Sequence, residues 1–284
     1  MAETIISTNE LTKKYGDLTA VNGLDLKIEK GEIYGLLGPN GAGKTTTILM
    51  LLGLTEPSSG SAEIKGLNTT RDSIEVKKFT GYLPDQVGFY DNSSGKENLA
   101  YTAKLNGLDA AAAAKKAEEM IKMVGLNKVM NDKVATYSKG MRQRLGLADV
   151  LIKDPEIIIL DEPTIGIDPT GINEFLDLIY RLSKENGITV LLSSHLLNQV
   201  QKICDRVGIF VKGELLAEGS IKDLADQLLG EREINLNVKI KNYSEQVINR
   251  IAELDEVLEI KEQENLLDEI YQNYFKGGEI DARL

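Results

Sequence analysis

Ile33-Tyr34-Gly35-Leu36-Leu37-Gly38-Pro39-Asn40-Gly41-Ala42-Gly43-Lys44-Thr45-Thr46 is the stretch from which the rest of the chain is read. Ile33 to Leu37 form a compact apolar run, glycines follow at once, and the apolar-rich stretch Thr45 to Leu54 suits a buried helix. The order is strand, glycine loop, helix. Within it Gly38 to Thr45 fits G-x-x-x-x-G-K-[ST], and a strand before and a helix after are the context that pattern requires. Glycines let backbone N–H groups converge on phosphate oxygens, and the helix N-terminus adds the positive end of its dipole. Lys44 is placed to reach the β and γ phosphates, and the Thr45 hydroxyl to ligate Mg²⁺. The pattern describes a nucleotide phosphate cradle.

Further along, Ile157-Ile158-Ile159-Leu160 runs into Asp161-Glu162, and Thr189-Val190-Leu191-Leu192 runs into Ser193-Ser194-His195. Continuous apolar runs separated by a helical stretch, about 170–186, are what strands buried on both faces look like, and they imply parallel βαβ units. Asp161 at a strand end is placed to hold a magnesium shell, and Glu162 to polarise a water. In the first thirty residues Val21, Leu24, Leu26 and Ile28 alternate with polar residues before Lys30-Gly31-Glu32, suggesting short antiparallel strands around a tight turn. From about 88 to 155 the pattern turns helical, with segments near 95–106, 109–124 and 131–153. Beyond about 226, Ile234, Leu236, Val238 and Ile240 alternate strictly, and a β-α-β-α pattern follows. The expected fold class is therefore α/β. It has a P-loop NTPase core over 1–226, with an antiparallel β edge subdomain and an inserted helical subdomain at about 88–155. A small C-terminal α+β appendage covers 227–284.

Composition limits the partners. The chain has 284 residues, with 33 Lys and Arg against 44 Asp and Glu, a net charge of −11. Such a chain lacks the broad basic footprint of a non-specific nucleic-acid binder, so no nucleic-acid partner is expected. Its one cysteine, Cys204, allows no intrachain disulfide, which suits a reducing cytoplasm. The N-terminal residues lack the apolar core of a secretory signal. No apolar run approaches the ~18 residues of a membrane span, so no direct membrane insertion is expected.

Several motifs in order resemble the ATP-binding cassette family, over about residues 4–224. Tyr137-Ser138-Lys139-Gly140-Met141 stands where that family carries its Leu-Ser-Gly-Gly-Gln signature, and Asp161-Glu162-Pro163-Thr164 matches its Asp-Glu-Pro-Thr. Gly166-Ile167-Asp168-Pro169 resembles its D-loop, and Ser193-Ser194-His195 its switch-histidine segment. The resemblance implies that ATP is held by Gly38, Pro39, Asn40, Gly41, Ala42, Gly43, Lys44, Thr45 and Thr46, with Tyr15 stacked on adenine. It implies that Ser138 and Gly140 present a hydroxyl and a backbone N–H to a γ-phosphate. Glu162 becomes the general base, with His195 and Lys44 stabilising the developing charge, and Thr45 and Asp161 become ligands of Mg²⁺.

Two departures stand out. Lys139 and Met141 replace the first Gly and the Gln of the signature, a variant similar to export-type cassettes whose permease is a separate polypeptide. In Tyr82-Leu83-Pro84-Asp85-Gln86, the residue after the proline, where the family places its metal-contacting and permease-coupling glutamine, is Asp85; Gln86 falls one position late. Either can serve. The branch so resembled includes multidrug, lantibiotic-immunity and sodium exporters, and is similar also to the ATPase subunit of the copper-site maturation transporter of nitrous oxide reductase. The resemblance implies a head-to-tail homodimer that hydrolyses ATP and drives integral membrane permease subunits from the cytoplasmic face. The competing class, a soluble cassette ATPase of repair or translation, calls for long coiled coils or two cassettes in one chain. This chain has one phosphate loop and no sustained heptads.

Overall fold

The computed structural model of the protein describes residues 3–196 and 200–229, with only the backbone for 226–229. The chain divides into two units, Met1–Ser220 and Ile221–Leu284. The expected appendage at 227–284 lies outside the described residues from 230 onward.

In the first unit, β1 (Thr4–Tyr15) and β2 (Leu18–Glu29) form a long antiparallel hairpin. Its turn is Gly16-Asp17, where Gly16 has φ +58°, and not Lys30-Gly31-Glu32 as the alternation suggested. The latter turn instead carries the chain out of this sheet into β3 (Ile33–Leu37). With β4 (Ser59–Ile64) and β5 (Leu67–Asn68), the hairpin makes a four-stranded sheet in the order β2-β1-β4-β5.

The second sheet holds β6 (Thr80–Leu83), β7 (Ile157–Asp161), β8 (Thr189–Ser194), β9 (Arg206–Val211) and β10 (Glu214–Gly219) beside β3, in the order β10-β9-β3-β8-β7-β6. Only the β9-β10 pair is antiparallel. Every residue of β3, β7 and β8 is buried, which is why their sequences read as unbroken apolar runs.

Helix α1 (Lys44–Leu51) follows β3, α2 (Ser73–Phe79) precedes β6, and α6 (Pro169–Lys184) joins β7 to β8. Helices α3 (Gly95–Leu105), α4 (Ala110–Met123) and α5 (Lys139–Leu151) lie between β6 and β7. The helix expected over 131–153 is broken into a 3-10 turn at Val134–Thr136 and α5, because the Ser138 side chain caps the later helix by accepting from Met141 N. The short α7 (Ile221–Leu229) opens the second unit.

The register of the large sheet brings distant sequence together. Leu37 pairs with Ser194 and Asp161 with Ser193. Three adjacent strands thus deliver the glycine loop, the histidine segment and the acidic pair to one edge, outside their carboxyl ends.

Candidate active site

The glycine loop leaves β3 with Gly38 N donating to Ser194 O at 3.3 Å, one step beyond the ladder. Two of its glycines have no substitute. A Cβ on Gly38 would lie 2.2 Å from the Phe210 carbonyl oxygen of β9. One on Gly43, at φ +108°, would lie 2.3 Å from Ala20 O and 3.1 Å from the Phe210 ring. Gly43 is also the N-cap of α1 and offers no side chain, and the first turn of the helix carries no acid. The opening N–H groups of α1 are therefore available to an anion.

Lys44 is 5% exposed and spans the loop from within, its Nζ donating to Gly38 O at 2.7 Å and to Pro39 O at 3.2 Å. The same ammonium is 3.1 Å from Glu162 Oε1. Glu162 is itself 9% exposed and has φ +48°, a left-handed conformation that costs a non-glycine residue about 1 kcal/mol or more. Its other oxygen, Oε2, is 2.9 Å from His195 Nδ1. Oε1 faces the Lys44 ammonium at 3.1 Å without a bond of hydrogen-bonding geometry, so a lone pair of this buried carboxylate can still accept a proton. That is the requirement for a general base.

Ser193 joins the carboxylates. Its Oγ donates to Asp161 Oδ1 at 2.5 Å and accepts from Glu162 N at 3.0 Å. Sequence reading placed Ser193 in the histidine segment without giving it a role. The only available signal was a hydroxyl residue at the end of an apolar strand.

The structure brings Lys44, Asp161, Glu162, Ser193 and His195 into one network. Around it Pro39 is half-buried, Ala42 buried, Asn40 and Thr45 exposed and Thr46 half-buried. The Thr45 hydroxyl lies one residue beyond Lys44 on α1, and among the described residues nothing is bonded to it. The Thr45 hydroxyl and the Asp161 carboxylate are of the right chemistry to be two oxygen ligands. Two suffice for Mg²⁺, which keeps several waters and takes substrate phosphate oxygens.

Other expected site residues stand outside the network. Tyr15, at the end of β1, is half exposed, with the Lys13 ammonium 5.0 Å from its ring centroid. Ser138 and Gly140 open α5, where the Ser138 hydroxyl is exposed. Asp85 and Gln86 are both exposed just past β6. Burial, then the negative charges of Asp161 and Asp85, push the Tyr82 hydroxyl up to about 12.

A family profile described as "ABC transporter" matches residues 21–165. The chain belongs to the ABC transporter family. The cassette is 46% identical over 215 residues to the bacitracin transport ATP-binding protein BcrA of Bacillus licheniformis, across 76% of this chain and 69% of that one. It is 38% identical to the linearmycin resistance ATP-binding protein LnrL of Bacillus subtilis, covering 82% and 75%. NatA, an ABC transporter ATP-binding protein of the same species, is 39% identical, covering 82% of this chain and 95% of NatA.

Among solved structures, a dimeric post-hydrolysis state of the ATP-binding cassette MJ0796 bound to ADP and Pi superposes with a TM-score of 0.69 at 26% identity, over 76% of this chain and 98% of that one. CbiO1 of Clostridium perfringens, part of the transporter complex cbiONQ, gives 0.72 at 27% identity, over 78% and 90%. The protein is thus an ATP-binding, ATP-hydrolysing subunit of the export-type branch. No helix among the described residues is long and apolar enough to cross a membrane.

Proposed function

We propose that two copies of this cassette pair head to tail around ATP and drive a separate export-type permease, with hydrolysis at the Lys44, Glu162 and His195 cluster. The observation that carries this reading is the buried Glu162 carboxylate, held by His195 on one oxygen and facing the Lys44 ammonium at 3.1 Å with the other. Asn40 and the N–H groups of Gly41 to Thr46 cradle the phosphates, and Tyr15 covers the base. Magnesium, held by Thr45 and Asp161, supplies neutralisation of the phosphate charge. Glu162 Oε1 takes a proton from the attacking water, while His195 and the Lys44 ammonium stabilise the charge that develops on the transferred phosphoryl group.

Ser138 and Gly140 complete the site of the second copy, since both stand apart from the network within their own chain. Asp85 or Gln86, both exposed just past β6, is the metal-side and coupling residue. The cassette works from the cytoplasmic face, docked to the permease. The antibiotics named for two relatives support a cargo of that class, whereas the link to copper-site maturation draws no support from them.

The test is capture of tagged Glu162→Gln protein from gently solubilised membranes in Mg-ATP. The variant is expected to retain ATP, to turn over at least about 100-fold more slowly, and to bring down a polytopic membrane protein in stoichiometric amount. Recovery only as a soluble species, or on ribosomes or DNA, would favour the repair or translation class instead.

A further inference from the structure

Two consecutive signature residues lie against two consecutive residues of the loop that follows Glu162. The Lys139 side chain runs over Gly166, where an added methyl group would sit 2.7 Å from Nζ, 3.0 Å from Cδ and 3.3 Å from Cε. A methyl group on Gly140 would sit 3.2 Å from Cγ2 of Ile167. Gly166 has φ +72°, a conformation that calls for glycine, and the exposed Lys139 side chain lies along it. Among the described residues no ion pair or hydrogen bond holds the Lys139 ammonium. The outer part of the lysine side chain, from Cδ to the ammonium, thus lies on bare backbone.

From Gly166 the path back to Glu162 is short. It is closed by two turn bonds, Ile165 N to Glu162 O and Ile167 N to Thr164 O, each 3.3 Å. Both are at the long end of the normal range, so packing from outside decides how firmly the loop is held. Glu162, at φ +48°, is in a conformation that its surroundings must enforce. A second brace lies further from the chemistry, where Arg144 of α5 pairs with Glu174 of α6.

We infer that Lys139 is a positioning residue, whose stem clamps Gly166 and, through the turn from Ile167 back to Glu162, keeps the general base of its own chain in place. The inference rests on the proposed roles of Glu162 and of the signature. Its consequence is that the segment meeting the ATP of one site is fastened, within one chain, to the carboxylate that works at the other. The glycine usual at this signature position has no stem with which to make the link.

The test uses the full chain with two variants. Lys139→Ala removes the stem while placing the best helix former at the first position of α5, and Lys139→Met keeps an unbranched stem without charge. In Lys139→Ala, hydrogen exchange at the Ile165 and Ile167 amides is expected to quicken about fivefold in the nucleotide-free chain. Its kcat should fall about three- to tenfold, with KM for ATP within about twofold of wild type. Lys139→Met should restore both. Unchanged exchange in the alanine variant, or a methionine variant that behaves like alanine, would overturn the clamp; faster exchange with an unchanged kcat would overturn its link to Glu162. Normal turnover by Glu162→Gln would remove the base assignment, while the exchange rates would still judge the clamp.

Discussion

The hydroxyl of Ser193 is bonded to both halves of the acidic pair, to Asp161 through its side chain and to Glu162 through its backbone. In Ser193→Ala a buried N–H and a buried carboxylate oxygen each lose a partner, at a cost of about 1–3 kcal/mol. The melting temperature is expected to fall by about 3–8 °C, and kcat more than KM for ATP, as read by thermal melts and phosphate release. A variant that melts and turns over as wild type would mean that neither carboxylate depends on Ser193. Much at this scale was legible in advance. The glycine loop announced itself because backbone approach to phosphate admits few residue types. His195 is different, since a lone histidine after an apolar strand carries no role of its own, and only resemblance supplied one. Its 2.9 Å contact with Glu162 depends on the pairing of β7 with β8, which no local pattern encodes.

At the scale of elements, α5 crosses β6 at bare backbone. A Cβ on Gly81 would lie 2.3 Å from Val150 Cγ1, and one on Gly146 would lie 2.6 Å from Leu83 Cδ1. Close approach turns Asp149 of α5 inward, and burial raises its carboxyl above the usual range despite the opposing pull of the Thr102 hydroxyl and the Lys153 charge. Its Oδ1 has no hydrogen-bond partner. A carboxyl raised by folding binds its proton more tightly in the folded chain. That contribution to stability is complete below the unfolded pKa and is lost as pH rises through the folded one. Asp149→Asn is therefore expected to stabilise the protein by about 1 kcal/mol at pH 8, a gain that shrinks to nothing near pH 4, as followed by melts at the two pH values. A gain equal at both would assign the effect to something other than ionisation.

Legibility of elements tracked burial. Strands β3, β7 and β8 were plain because both faces are covered, and α6 because its apolar stripe is one-sided. The β9-β10 hairpin went unread, although Lys212-Gly213 between apolar runs, both with positive φ, is a turn signal. Antiparallel strands were read in the first thirty residues, but around the wrong turn, so the pairing of β1 with β2 was missed. Lys30-Gly31-Glu32 has the same chemistry as a hairpin turn, and only pairing with a different sheet tells the two apart.

For the whole molecule, the question is how one chain with a −11 charge transmits ATP turnover to a partner. Asp85 and Gln86 stand exposed at the end of β6, the edge strand of the large sheet, where a partner can reach them. In the complete transporter, Asp85→Ala is expected to lower transport-coupled ATP turnover about tenfold while Gln86→Ala changes it less than about twofold. The reverse pattern would assign the coupling to Gln86.

The back wall of the phosphate loop sets the order in which the molecule can be made. Gly38 and Gly43 rest on the carbonyl and ring of Phe210, in a strand placed far later in the chain than the loop itself. At roughly 5–20 residues per second, the ribosome delivers that strand on the order of ten to thirty seconds after the loop has been synthesised. Through that interval the nascent chain holds the glycine motif without the surface that shapes it, so cellular ATP cannot draw the chain toward its fold by mass action. Nucleotide stabilises the finished cassette and gives its synthesis no help.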